Sequence, residues 1–597
     1  VKTDTISDKT VNGSTLDIKG KYASSTEGDM NITGSSLNLG EEAEITTGGS
    51  LNITAAYNEH FEEHKSEKSG ALTFDFDLYA MQLDMEGKGS TTATGSVINA
   101  GSLKVKSGSD IYVEGSELNS TDADISAAGS FTQTSAKETN YEYSIHEKMS
   151  LTGDVLKDLA KGLIIDTALA SVTGGTSLLF TSAQMFDFED GRLKVDLASG
   201  EYKKTENTKD ITTQKSSVIT TSDGLAIDSG KDIIIAGSDI NAGGDVNLTA
   251  VNNVSIETTK ETTEEHSKEI SGEAKLTAGV KNSATDVYNA GVAVKTAYET
   301  LEKAKKDYDA YKDSLAKAKD DLDKGLIDQD EYDSIKSDEK YYIANIALCT
   351  EDLAAKTAGL LKATAGAAGS AKTFGFNADL KIDIDALIKE SESLITSSKG
   401  SNISAGGNFT VKAGNTAKIE GSNVNADSDI IIDAESVDIL AAENSTETSS
   451  DEKKAHITAT LYDTSGGMGV NASASDTKSV SDSTTYTNSH LNASNITKTS
   501  TKDTTVKGAV VKAENDLTLD VDGDLTVESL QDKNSSKSVT LGVSGGYSGG
   551  GANAGANFNL SKSESKWVNE QTSLTGGGTV DIDVEDKTTL KGAVIAS

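Results

Sequence analysis

The sequence predicts an all-β fold: a right-handed parallel β-helix (solenoid) with projecting β-hairpin excursions, two of them helix-tipped. Three observations carry this expectation. A Gly-Ser phrase recurs at about twenty residues, short alternating segments separate its copies, and 597 residues contain no proline. Copies stand at Gly13-Ser14-Thr15-Leu16, Gly34-Ser35-Ser36-Leu37, Gly95-Ser96-Val97-Ile98, Gly115-Ser116-Glu117-Leu118, Gly237-Ser238-Asp239-Ile240, Gly400-Ser401-Asn402-Ile403 and Gly421-Ser422-Asn423-Val424. Neighbouring copies lie 21, 20 and 21 residues apart. Between them, segments such as Asp245-Val246-Asn247-Leu248-Thr249 alternate at period two, the pattern of a half-buried strand. A unit of about twenty residues with several short strands has the size of one coil of a parallel β-helix. Proline removes a backbone donor and is excluded from a ladder in which each coil bonds the coils above and below.

The composition fits a narrow interior of stacked Val, Ile, Leu and Ala, with 35% hydrophobic and 5% aromatic residues. A net charge of -39, with Arg192 the only arginine, argues against nucleic acid, because phosphate binding relies on basic side chains. Cys349 is alone, which excludes an intrachain disulfide and a cysteine-based zinc site; on a helical segment it reads as a small packing residue. The residues from Val1 lack the basic, apolar, small-residue order of a secretory signal, so a segment of something longer is expected.

Taken in order, coils are expected at 1–56, 93–134, 218–257, 396–442, 486–530 and 572–597, roughly twelve at about twenty residues each. Five excursions interrupt them at 57–92, 135–217, 258–395, 443–485 and 531–571. Each begins with a charged, non-periodic stretch, such as Tyr57-Asn58-Glu59-His60 or Lys260-Glu261-Thr262-Thr263. The last reads as a β-hairpin, with Val539, Leu541 and Val543 entering a glycine run and Ala554, Ala556, Phe558 and Leu560 leaving it. Ile457, Ala459 and Leu461 with Val470, Ala472 and Ala474 repeat the figure, and Leu72, Phe74, Phe76 and Leu78 look similar. Between Asp286 and Lys372, Val287, Val294, Tyr298, Leu301, Tyr308, Leu315 and Leu322 fall mostly three, four or seven apart, one stripe of an antiparallel helical hairpin turning near Lys324-Gly325-Leu326. The excursion at 135–217 has a helical tip near 152–186. There Leu163, Ile164, Ile165, Leu169, Leu178, Leu179, Phe180 and Phe186 form an apolar set that would pack on its own stem or the solenoid flank, or contact a membrane or partner.

Gly237 to Ala250, Glu528-Ser529-Leu530-Gln531-Asp532, Val568-Asn569-Glu570-Gln571 and the terminal Leu590 to Ser597 resemble the haemagglutinin repeats of large proteins exported by two-partner secretion. That family includes filamentous haemagglutinins and contact-dependent growth inhibition effectors. The resemblance covers most of the chain and is strongest from about 400 to 597. It implies a secreted protein of the bacterial cell surface, exported through an outer-membrane secretion transporter. Within inhibition effectors it implies a repeat region that associates with the target-cell outer membrane or periplasm and helps a toxin cross.

Several patterns invite a chemical reading. His60-Phe61-Glu62-Glu63-His64 matches the inverted zinc-protease motif, which needs both histidines on one helical face and a third ligand; a solvated, charged entrance is the favoured reading. Asp520, Asp522 and Asp524 around Gly523 look like half a calcium loop, but Gln531 stands where its closing carboxylate belongs, and a turn between rungs explains the same residues. Sequons such as Asn31-Ile32-Thr33 and Asn247-Leu248-Thr249 follow from turn asparagines beside strand threonines. No spacing selects a catalytic carboxylate pair, and neither an enzyme nor a cofactor is expected. The expected role is a non-catalytic stalk and toxin-delivery segment contacting the target-cell outer membrane or a surface receptor. An adhesin module that binds a host or surface receptor, or a passive spacer, is the alternative.

Overall fold

The computed structural model describes the chain except residues 72–76, 154–186, 190–191, 325–326, 328, 370–375, 463–467 and 549–550. Each coil carries three short strands, as in Asp239–Ala242, Val246–Ala250 and Val254–Glu257. Every strand pairs in parallel with its equivalent one coil away: Val246 lies between Leu225 and Phe409. Eleven strands stack on the third side, and Val594–Ala596 begins a further coil on the first. Because the coils stack in register, inward positions stack too, so that Ile219, Ile240, Ile403 and Val424 form one row with none more than 1% exposed. Each such side chain contributes about 1.5–3 kcal/mol by leaving water.

At Gly34, Gly115, Gly237 and Gly421 the Gly-Ser phrase is the corner between the third strand of one coil and the first of the next, and at Gly13, Gly95 and Gly400 it leads from a strand of the lateral sheet into a coil. Gly34, Gly115, Gly237, Gly421, Gly508 and Gly592 have φ between 53° and 63°, a region L side chains rarely enter. The serine after the corner forms a ladder of its own. The Ser35 amide donates to Ser96 Oγ at 3.2 Å, the Ser96 amide to Ser116 Oγ at 3.0 Å and the Ser401 amide to Ser422 Oγ at 3.1 Å. Outward asparagines stack likewise, with Asn119 Nδ2 donating to Asn99 Oδ1 at 3.0 Å.

These glycine corners close every second coil. At the coils between them the chain leaves the solenoid instead, and the excursions do not stand apart. Their strands are β1 (Lys2–Lys9), β2 (Ala56–Gly70), β3 (Asp77–Thr94), β4 (Ala136–Thr152), β5 (Arg192–Lys215), β6 (Thr259–Asn282), β7 (Phe376–Lys399), β8 (Ala442–Tyr462), β9 (Met468–Thr487), β10 (Asp532–Ser548) and β11 (Gly551–Trp567). They pair edge to edge, in that order, into one antiparallel sheet, with Asp187–Glu189 added beside β5. Strands and coils both advance by about 4.8 Å. A two-stranded hairpin therefore keeps pace with two coils, which is why the excursions recur at that interval. The charged entrance stretches are themselves strand: Tyr57 to His60 lie within β2, paired with β3. They lack an apolar period because neither face of the sheet is buried there.

Between β6 and β7 the chain forms helices α1 (Ser283–Asp323), α2 (Gln329–Ser337) and α3 (Glu339–Gly369). Helices α1 and α3 pack through Leu301, Ala304 and Cys349, and the Tyr311 and Tyr342 rings stack at 4.6 Å. Burial against apolar neighbours pushes the Cys349 thiol pKa up, consistent with a packing role.

One inward position breaks the core pattern. Lys498 occupies the row between Ile432 and Leu519 and is 3% exposed. Its ammonium meets Ser500 Oγ at 3.4 Å and the Thr504 hydroxyl. The other inward side chains of the adjoining strands are Ile430 and Ala434 on one side, Leu517 and Val521 on the other, and Val506 across the lumen. Asp520, whose charge acts on it, is exposed on the following coil. Desolvation brings the Lys498 pKa down to about 7 against the opposing pull of Asp520.

Two outcomes are expected. Gly421→Ala places a Cβ 2.4 Å from Ala442 Cβ at a left-handed φ, so it should lose about 2–4 kcal/mol. Gly28→Ala meets nothing within 4 Å and should stay within about 0.5 kcal/mol; thermal unfolding compares them. For Lys498 the unfolded chain holds a proton that the folded chain releases, so stability rises with pH from about 7 towards 10.5 and is flat in this term below 7. The slope limit is about 1.4 kcal/mol per pH unit. Lys498→Met should raise the melting temperature at pH 7 and remove that part of the pH dependence.

Candidate functional site

Side chains alternate between faces along a strand, so the register of the hairpin sheet fixes what each face presents. On the distal half of one face, Leu276, Ile382, Ala459, Val470 and Tyr547 lie side by side on consecutive strands. The next row towards the solenoid is Ala274, Ile384, Ile457, Ala472 and Gly545. Tyr79, Leu151 and Met149 extend this face onto β3 and β4. These side chains are open to solvent: Ile384 is 43% exposed, Leu541 54% and Val543 61%. The apolar run that β6 shares with its neighbours, Gly272 to Ala278, spans about 20 Å at 3.4 Å per residue. It ends at a charged belt, where Ile270 shares its row with Lys453 and Asp476 and Lys453 pairs with Asp451 at 2.8 Å.

The opposite face is polar. Lys275, Asp383, Thr458, Asn471 and Gly546 form one of its rows, and Glu273, Asp385, His456, Ser473 and Ser544 the next. His456 Nδ1 meets Asp385 Oδ1 at 2.7 Å, and Thr458 donates to Asp383 at 2.7 Å. Nearer the solenoid this face is hollowed into a trough of about 1030 Å³, lined by the hairpin sheet alone from β2 to β11. Its lining changes along its length. Glu62, Lys88, Glu142, Lys209 and Glu265 alternate in sign on successive strands, with Lys88–Glu62 at 3.0 Å and Lys209–Glu265 at 2.7 Å. Ser393, Thr448, Ser481 and Ser536 continue the row without charge.

The zinc-protease pattern is taken apart by this geometry. His60 and His64 lie on a strand, not a helix, and share the polar face with Glu62. Glu63, which would activate water, points to the other face and accepts from the Tyr143 hydroxyl. His60 Nδ1 meets Asp8 at 2.6 Å, and His64 meets Asp4 at 2.7 Å and Glu62 at 2.6 Å. Those aspartates hold both imidazole pKa values up, while hydrogen bonds from Lys88 and then His64 bring Glu62 down to about 2. Of the calcium-like aspartates, Asp524 accepts the Lys587 amide at 3.1 Å while its own amide donates to Asp503 at 2.9 Å, a turn ladder between coils. Among the described residues no three His, Cys, Asp or Glu side chains gather as metal ligands. The apolar set from Leu163 to Phe186 lies outside the described residues. Among those described, no helix is long and apolar enough to cross a membrane, a statement that does not extend to strands.

A β-solenoid bearing a lateral amphipathic sheet belongs to the class of repeat scaffolds. The hemagglutinin repeat family matches residues 2–149, 198–320, 384–538 and 532–597, and the chain belongs to that family. It is the repeat region of a two-partner-secretion protein, secreted and associated with the cell surface. It is 31% identical over 224 residues to "Toxin CdiA" of Escherichia coli, covering 33% of this chain and 7% of that protein. It is 27% identical over 251 residues to "tRNA nuclease CdiA" of Yersinia mollaretii, covering 38% and 8%. A third relative, "Deoxyribonuclease CdiA" of Yersinia pseudotuberculosis, is 31% identical over 223 residues, covering 34% and 20%. The chain thus spans a small part of each relative's length. No solved structure matches it.

Proposed function

We propose that this chain is a non-catalytic stalk and delivery segment of a contact-dependent growth inhibition effector, and that its hairpin sheet associates with the target-cell outer membrane. The supporting observation is the amphipathic distal half of that sheet. Outer-membrane strands are antiparallel, about 9–11 residues long within the bilayer, and alternate a lipid-facing apolar side with a polar one. Their apolar band is about 25 Å tall, a little more than the run of about 20 Å on β6. Strands enter hydrocarbon only where their backbone groups are paired; the interior strands of this sheet have neighbours on both sides, and its end strands β1 and β11 would lie outside the hydrocarbon or be paired there. The solenoid would then hold the sheet away from the secreting cell, and export would use an outer-membrane secretion transporter.

In this reading the CdiA relatives supply the kind of cargo, a toxin carried elsewhere in a longer protein. The polar trough gives a translocating chain a hydrated surface beside lipid. The test is flotation with vesicles made from outer-membrane lipids. The wild-type chain should float, and Ile384→Asp with Ile457→Asp should reduce flotation about tenfold, since a charged side chain on a lipid-facing strand costs up to about 2–4 kcal/mol for Arg or Lys and less for Asp. Thr460→Asp, on the polar face, should leave it unchanged. A chain that binds intact target cells but ignores the vesicles would be an adhesin module instead.

A further inference from the structure

A sheet with free edges exposes rows of unpaired backbone groups, and natural proteins guard them with charge or with a covering element. The two edges here are treated differently. Strand β1 carries Lys2, Asp4, Asp8 and Lys9 within eight residues. Strand β11 has no charged residue from Gly551 to Leu560, and α3 lies along it. Asp338 pairs with Lys562 at 2.5 Å, the Tyr341 ring stacks on Phe558 at 5.0 Å, and Asp352 stands over Gly555, where a Cβ would come within 2.7 Å of its carboxylate. From Glu339, beside Asp338, to Asp352 helix α3 advances about 20 Å, and from Lys562 to Gly555 a strand advances about 24 Å. The helix therefore runs lengthwise along the edge.

One contact shows which backbone groups are covered. The Phe558 amide donates to Asn345 Oδ1 at 3.3 Å, so it points away from β10, as do the amides of the other even-numbered residues of β11. The cap comes from the excursion between β6 and β7 and reaches past β8, β9 and β10. It is held at the edge by a few side-chain contacts, whereas an added strand would make a row of backbone hydrogen bonds.

We propose that the helical hairpin is a removable cap on the β11 edge, and that the surface beneath it pairs with β11 of a second copy of this chain. Antiparallel pairing of a strand with itself is two-fold symmetric and self-complementary. The uncharged stretch from Gly551 to Leu560 sets no like charges against each other in such a pair.

Light scattering on the full chain after size exclusion tests this with three variants. Lys562→Glu sets like charge against Asp338 and should raise the two-chain fraction several-fold over wild type. Adding Asp338→Lys restores the ion pair with its signs exchanged and should return the chain to the one-chain mass, which also shows that the fold tolerates the changes. Adding Ala556→Pro to Lys562→Glu removes an outward-facing donor and should suppress the two-chain form. The proposal is overturned if Lys562→Glu stays at the one-chain mass, if the charge-exchanged variant still associates, or if association is indifferent to the proline.

Discussion

The equal step of two ladders sets the architecture. Parallel coils and antiparallel hairpin strands are both spaced by backbone hydrogen bonding at about 4.8 Å, so a solenoid can carry a continuous lateral sheet only when it emits one hairpin for every two coils. The positive-φ glycines mark the coils that close on themselves, and the excursions occupy the coils between. An Ala or Thr begins each outgoing strand from β4 to β8, and at Ala136, Thr259 and Ala442 it sits directly over the glycine of the preceding corner. The corner and the hairpin base are thus one packed unit. Without that step the apolar distal rows would be isolated hairpin tips rather than a face.

Much of the solenoid was legible in the sequence because its signal is local. The Gly-Ser phrase marked corners, and alternating apolar residues marked inward rows. Corners lacking the phrase were less visible: Asn488-Ser489 and Gln571-Thr572 hold the same ladder position, with Ser489 Oγ accepting the Ser422 amide and Thr572 Oγ1 the Ala509 amide. Lys498 gave no signal either. It sits in a period-two segment as an ordinary polar residue would, and only the register of the neighbouring coils shows that it faces inward.

Lateral pairing of the hairpins was hidden for a different reason. Partners such as Ile384 and Ile457 are far apart in sequence, and the alternation along each hairpin strand does not say which other hairpin lies beside it. Once paired, those strands also account for more of the missing prolines. Every interior strand of the hairpin sheet has a neighbour on each side and so loses a ladder bond at any proline, and the helices exclude proline from their interiors. The charged entrances, non-periodic in sequence, belong to the same ladder. Their alternating Glu and Lys side chains pair across strands, which keeps an acidic chain from placing like charges opposite one another along the trough.

The whole architecture rests on the two-coils-per-hairpin match, and deletions that keep or break it are the most direct measurement. Removing residues 401–421 takes out one coil and directs β7 and β8 to the same level of the sheet. Removing residues 422–508 takes out two coils with their hairpin and leaves the step intact. Hydrogen exchange across β7 and the strands that follow it should show lost protection in the first deletion and native-like protection in the second, although the second removes far more of the chain. Equal protection in the two would contradict a shared step.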